Sequence, residues 1–143
     1  MSAHFQVSQV IDRPLDKVFH FYVDEHVRNH PRWDPDIELW LDSDEPIKVG
    51  TIIRRRNHRS GTPVEGTMQW VEYEPNQAFG LVIHDGSNIM HGRVTFKAQG
   101  ADQTEITTFV EIPSMDDSMD KSFLTSRLES SQRNIKQLIE SEV

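Results

Sequence analysis

Cysteine is absent from the 143 residues. That excludes disulfides, thiolate nucleophiles, cysteine-ligated zinc and iron–sulfur clusters. No apolar run approaches the roughly 20 residues that span a bilayer, so a membrane-spanning protein is not expected. Met1-Ser2-Ala3-His4 shows neither the basic region nor the apolar core of a secretory signal, which makes the cytoplasm the default location. Positive charge is in the minority: 15 Lys and Arg against 23 Asp and Glu give a net charge of −8. Such a balance repels phosphate backbones and anionic membrane surfaces, so neither nucleic acid nor a membrane is an expected partner. The sequence also lacks a GxSxG nucleophile turn, an HExxH zinc motif, a phosphate-cradling glycine loop and a dinucleotide fingerprint, and no cofactor is implied.

What is present reads as one folded domain over 1–143. The apolar share is only 36%, yet Val, Ile, Leu and Phe are spread along the whole chain, which favours a globule over disorder. Phe5, Val7 and Ile11 share one face at period two and predict a strand. Asp12-Arg13-Pro14 marks a helix start. Leu15, Val18, Phe19, Tyr22 and Val23 then follow at i, i+3, i+4, i+7 and i+8, an amphipathic helix of two to three turns. A second short helix is expected between Asp24 and Trp33, ending near Pro31, with Pro35 blocking continuation.

From Ile37 to Ile112 the periodicity is that of strands, near 37–42, 51–59, 64–73, 78–84, 89–99 and 103–112. The segments between them contain Gly, Pro, Asn or Asp, and their shortness implies antiparallel hairpins. After Pro113, Ser114, Asp116, Asp117 and Ser118 are candidate N-caps for a long helix reaching about Glu140. Its apolar stripe is Leu124, Leu128, Ile135, Leu138 and Ile139, interrupted by the small Ser131. Parallel βαβ units are missing, so a doubly wound fold is excluded. The expectation is an α+β fold. A curved antiparallel sheet of seven strands wraps around the last helix, about 35 Å long at 1.5 Å per residue, with two short helices after the first strand. One helix does not fill such a sheet, and the remaining space holds large side chains or a ligand.

This element order carries Val7-Ser8, Ile11 and Arg13-Pro14 before Val18-Phe19. Trp33 follows between Pro31 and Pro35, Gly50 opens a strand, Val71-Glu72-Tyr73-Glu74-Pro75 ends one, and Thr104 follows Gly100. Together, over nearly the full length, they resemble the START-like, polyketide cyclase/dehydrase superfamily (SRPBCC, helix-grip fold). The resemblance implies a cavity beneath the C-terminal helix and a hydrophobic or amphipathic ligand. The superfamily spans carriers, receptors, cyclases and regulators, so it implies fold and pocket better than reaction.

Within that frame Trp33, Met68, Trp70, Met90, Phe96 and Phe123 are candidates to line a ligand cavity; the plain alternative for each is core packing. Met68 and Trp70 share one strand face, Val71 and Tyr73 the other. Arg54, Arg55, Arg56 and Arg59 form the one basic run. Arg54 and Arg56 point together with His58, either as a carboxylate clamp or as an exposed face paired with acids such as Glu65 or Glu72. His26 and His30, at i and i+4, could place two imidazoles on one helix face; no third metal ligand is evident, and surface positions are the ordinary outcome. His84 could act as a general base, but its neighbour Asp85 faces the other side of the strand. Arg93 reads as an exposed ion-pair partner. Trp40, on a face shared with Glu38 and Asp42, is a candidate contact for a partner, including a second copy of the chain. The expected function is binding of a small hydrophobic or amphipathic molecule. The alternatives are a polyketide cyclase- or dehydratase-like enzyme and a regulatory interaction domain.

Overall fold

The computed structural model describes residues 2–41, 45–115 and 121–143. Its strands are β1 (Ala3–Ile11), β2 (Ile37–Trp40), β3 (Ile52–Asn57), β4 (Val64–Glu74), β5 (Ala78–Asp85), β6 (Asn88–Ala98) and β7 (Thr104–Ile112). They form one sheet in the order β1-β7-β6-β5-β4-β3-β2, antiparallel throughout. From β2 to β7 each strand lies beside the next, as the short turn-rich connections predict. Asp42 and the candidate caps Asp116, Asp117 and Ser118 lie outside the described residues.

Strand alternation decides what faces inward. Ile53, Met68 and Ile83 lie opposite one another on β3, β4 and β5, and all three are buried. A β-bulge between Trp70 and Glu72 then shifts the phase of β4. The extra residue, Val71, is 49% exposed, whereas Tyr73 packs against the core. The bulge thus brings Tyr73 to the face of Trp70, where simple alternation predicts the opposite.

The predicted first helix is two elements. α1 (Leu15–Phe19) continues into a π-helical turn, His20–Asp24, and α2 (His26–Trp33) follows. Two carbonyls at this junction are taken by side chains of α2: Asn29 Nδ2 donates to Phe21 O at 3.0 Å and His26 Nδ1 to Tyr22 O at 2.8 Å. The i→i+4 ladder is interrupted there, and buried carbonyls require partners. α2 passes through Pro31 and ends at Trp33, two residues beyond the expected stop.

The long helix α3 (Ser122–Glu142) lies against the sheet. Lys121 precedes it without a side-chain cap, so Ser114 does not cap it. Ile135 and Ile139 are buried in the main core. Leu128, expected to be buried with them, is half-buried and joins Leu124 against a smaller cluster of Ala3, Phe5 and Val110. α3 is fastened to β1 where Lys136 Nζ donates to Val10 O at 2.6 Å and Gln9 donates to the Gln132 carbonyl. Met90 packs against both clusters, and residues of both line a space between the sheet and α3.

Candidate active site and ligand cavity

Between the sheet and α3, with α2 at one end, is a cavity of about 360 Å³, a size that holds small organic ligands. Met68, Leu81, Ile83, Met90 and Val94 form much of its sheet wall, and Leu128, Ser131 and Ile135 face it from α3. His30, Asp34, Arg55, Arg59 and Asp85 supply polar groups to the same wall.

The strand register explains the first of these groups. Arg55 on β3 lies opposite Gly66 on β4, and Gly66 lies opposite Asp85 on β5. Directly opposite residues face the same side of a sheet. The glycine between them has no side chain, so the ion pair crosses over it. Arg55 Nε and Nη2 donate to the two Asp85 oxygens at 2.7 and 2.9 Å, and Asn57 Nδ2 adds a third bond at 3.1 Å. The Arg55 side chain is only 3% exposed. This is the bidentate geometry in which a guanidinium tolerates burial. Beside it Arg59 Nη2 donates to Asp34 Oδ2.

The second group is the histidine pair. The i, i+4 spacing does place both rings on one face of α2, but not at the surface. His26 is 2% exposed and His30 is half-buried in the cavity wall. His26 Nε2 and His30 Nδ1 are 2.9 Å apart, so the two rings hold each other instead of converging on a third point. Among the described residues no group of three or more His, Asp or Glu is placed to hold a metal ion. His30 also stacks on Trp33, with ring centroids 5.2 Å apart and an interplanar angle of 16°.

Burial pushes His26 down to about 4, with the Arg55 charge adding to it and the bond to Tyr22 opposing it. Burial, His26, Arg55 and Arg59 hold His30 well below the ordinary imidazole value of 6.5. In the unfolded chain both rings titrate normally. Below about pH 6.5 the unfolded state therefore binds protons that the native state does not, and stability falls as the pH drops. Each such histidine contributes a slope approaching about 1.4 kcal/mol per pH unit. Carboxylates held down by arginine, such as Glu72 beside Arg93, act mainly nearer their own unfolded range. Urea midpoints are therefore expected to decline between neutral pH and about pH 5, with a shallower decline in His30→Gln. A flat profile would show that the rings are solvated.

Of the residues singled out from sequence, Trp33, Met68 and Met90 line the cavity. Trp70 is fully enclosed, packed edge-on to His26 at 5.2 Å and stacked on Phe79 at 6.2 Å. Its indole N–H is buried with no acceptor. Phe96 is core, in edge contact with Phe19 and Tyr22. Phe123 is 69% exposed, with the Arg127 guanidinium 5.6 Å from its ring. His84 and Arg54 are exposed; alternation turns Asp85 and Arg55 inward in their place. The acid-paired reading describes Arg56, bound to Glu65 at 2.8 Å and lying 5.0 Å from the half-buried Trp40 ring. Arg93 bonds Glu72 at 2.7 Å.

Residues 2–140 match the family model described as polyketide cyclase / dehydrase and lipid transport. The chain belongs to this family. Among curated proteins none matches in sequence. Solved structures share the helix-grip fold of this polyketide cyclase/dehydrase family at low identity. A START superfamily protein from Mycobacterium smegmatis is 12% identical with a TM-score of 0.76, over 98% of this chain and 99% of that one. Ara h 8.0201 is 14% identical at 0.75, over 99% and 97%. Norcoclaurine synthase from Thalictrum flavum, in complex with dopamine and hydroxybenzaldehyde, is 13% identical at 0.72, over 100% and 89%. At such identities the likeness is one of fold. The family's seven-stranded sheet and long C-terminal helix are those described above. Among the described residues no helix is long and apolar enough to cross a membrane.

Proposed function

We propose that the protein binds a small amphipathic molecule in the cavity between the sheet and α3. The observation that carries this reading is the arrangement of the wall. Met68, Leu81, Ile83, Met90 and Leu128 offer apolar surface, while His30, Arg55 and Asp85 add a set of polar groups. Burying an apolar body supplies the affinity and a few placed polar groups set the orientation. Membership of a family that includes lipid transport agrees with it.

A second reading, catalysis on such a molecule, is favoured by the polar groups themselves. Titratable side chains that share a cavity wall and include an imidazole held neutral have the character of general acid–base machinery.

The test follows tryptophan emission during titration with an apolar fatty-acid analogue. Trp33 stands in the cavity wall, whereas Trp70 is enclosed. Ligand should therefore change the emission, Trp33→Phe should remove most of the change, and Trp70→Phe should keep it. If a broad panel of apolar probes leaves the spectrum untouched, the binding reading falls.

A further inference from the structure

The hydrogen-bond direction along α2 can be followed atom by atom. Tyr22 O is a carbonyl and only accepts, so His26 Nδ1 carries the hydrogen. A neutral His26 then has a bare Nε2, which must accept from His30 Nδ1–H. That leaves His30 Nε2 as a lone pair. Among the described residues it has no hydrogen-bond partner, and His30 lines the cavity. The depressed proton affinity of both rings agrees with the neutral forms.

The charges around the cavity complete the argument. Each arginine of the wall already has a carboxylate. Arg55 is held by Asp85 at 2.7 Å and Arg59 by Asp34. Arg93 is held by Glu72 at 2.7 Å, and Arg127 lies 3.8 Å from Asp36. The acids of the wall, Asp34 and Asp85, are the same partners. A ligand carboxylate entering here meets no uncompensated cation and must still shed its water, a cost that no new ion pair offsets. A hydroxyl meets an acceptor.

We propose that the cavity selects an uncharged, hydroxyl-bearing apolar molecule, whose O–H is donated to His30 Nε2. This rests on the binding reading above and narrows it to a ligand class.

Calorimetric titration at neutral pH with para-pentylphenol, para-pentylanisole and para-pentylbenzoate tests it. The anisole buries at least as much apolar surface but has no donor, and the benzoate is ionised. One hydrogen bond to a neutral acceptor should favour the phenol over the anisole by about five- to tenfold. The benzoate should be weakest. In His30→Phe, which keeps a flat ring against Trp33, the phenol and anisole should bind alike. The parent protein alone decides if that variant fails to fold. Long-range nitrogen NMR of labelled histidine should show His30 Nε2 without a proton, and that resonance should move on phenol addition. An anisole that binds as tightly as the phenol overturns the His30 assignment while leaving the cavity reading intact. So does a phenol preference that survives in a folded His30→Phe. A benzoate that binds best overturns the selection for an uncharged ligand. If none of the three binds, the cavity reading falls and this inference falls with it.

Discussion

Asp85→Ala is expected to destabilise the protein by about 3–5 kcal/mol in urea unfolding, the scale for removing one partner of a buried ion pair. The Arg55 side chain is 3% exposed and that of Asp85 15%, and Asp85 accepts both guanidinium bonds and a third from Asn57. Truncation leaves the Arg55 charge inside the sheet wall without its carboxylate partner. The informative control is the double substitution Arg55→Met with Asp85→Leu. It removes both charges and keeps apolar volume, so most of the lost stability should return. A loss below about 1 kcal/mol for Asp85→Ala would place this pair with solvent-screened surface bridges.

Gly66→Ala should be at least as damaging. A Cβ built there lies 1.7 Å from the His84 carbonyl oxygen and 2.9 Å from Asp85 Oδ1. The first atom is backbone of the neighbouring strand, so β4 and β5 must separate to admit the methyl group. The second is the carboxylate that holds Arg55, so the ion pair is displaced at the same time. Overpacking ordinarily costs about 1–3 kcal/mol. A clash with backbone added to a disturbed buried charge puts this substitution at about 4 kcal/mol or more, in the exceptional range. The same change at Gly92, whose Cβ would meet nothing within 4 Å, should be nearly silent. Equal midpoints for the two variants would show that β4 and β5 are not in the register described.

The architecture was legible because its signals are periodic. Period two placed the strands, turn residues marked their ends, and the last apolar stripe predicted α3. The phase error at Tyr73 arose where a single residue was inserted, whereas Tyr22 and Val23 are buried as the helical spacing predicts despite the π-helical turn. Val71 adds one position to β4 and the π-helical turn widens the helix after Phe19; neither leaves a distinctive composition. For the site, alternation alone orients Arg55 and Asp85. If Arg54 and Arg56 face outward, Arg55 faces inward with Ile53, and if His84 faces outward, Asp85 does not. What alternation cannot supply is the cross-strand register that sets Arg55, Gly66 and Asp85 in one row. The histidine pair followed the i, i+4 rule, but its burial depended on the sheet that α2 packs against. Residue type does not separate Trp70 and Phe96 from cavity-lining aromatics, since both kinds occupy the same inward-facing positions.

The pairing of β1 with β7 has a consequence for how the chain folds. Strands β2 to β7 can assemble through neighbouring hairpins, each closing a short loop. β1 cannot: Ala3 pairs with Ile112 and Ile11 with Thr104, so β1 waits until β7 is in place. Closing so long a loop is entropically costly, and long-range pairings of this kind slow folding. Until β7 arrives, β1 is an unpaired edge that another chain could capture. Because α3 is fastened to β1 through Lys136 and Gln9, docking of that strand and seating of that helix complete each other. The space between the sheet and α3 takes its shape only at this final step, and a molecule bound there as proposed would hold β1 and α3 together.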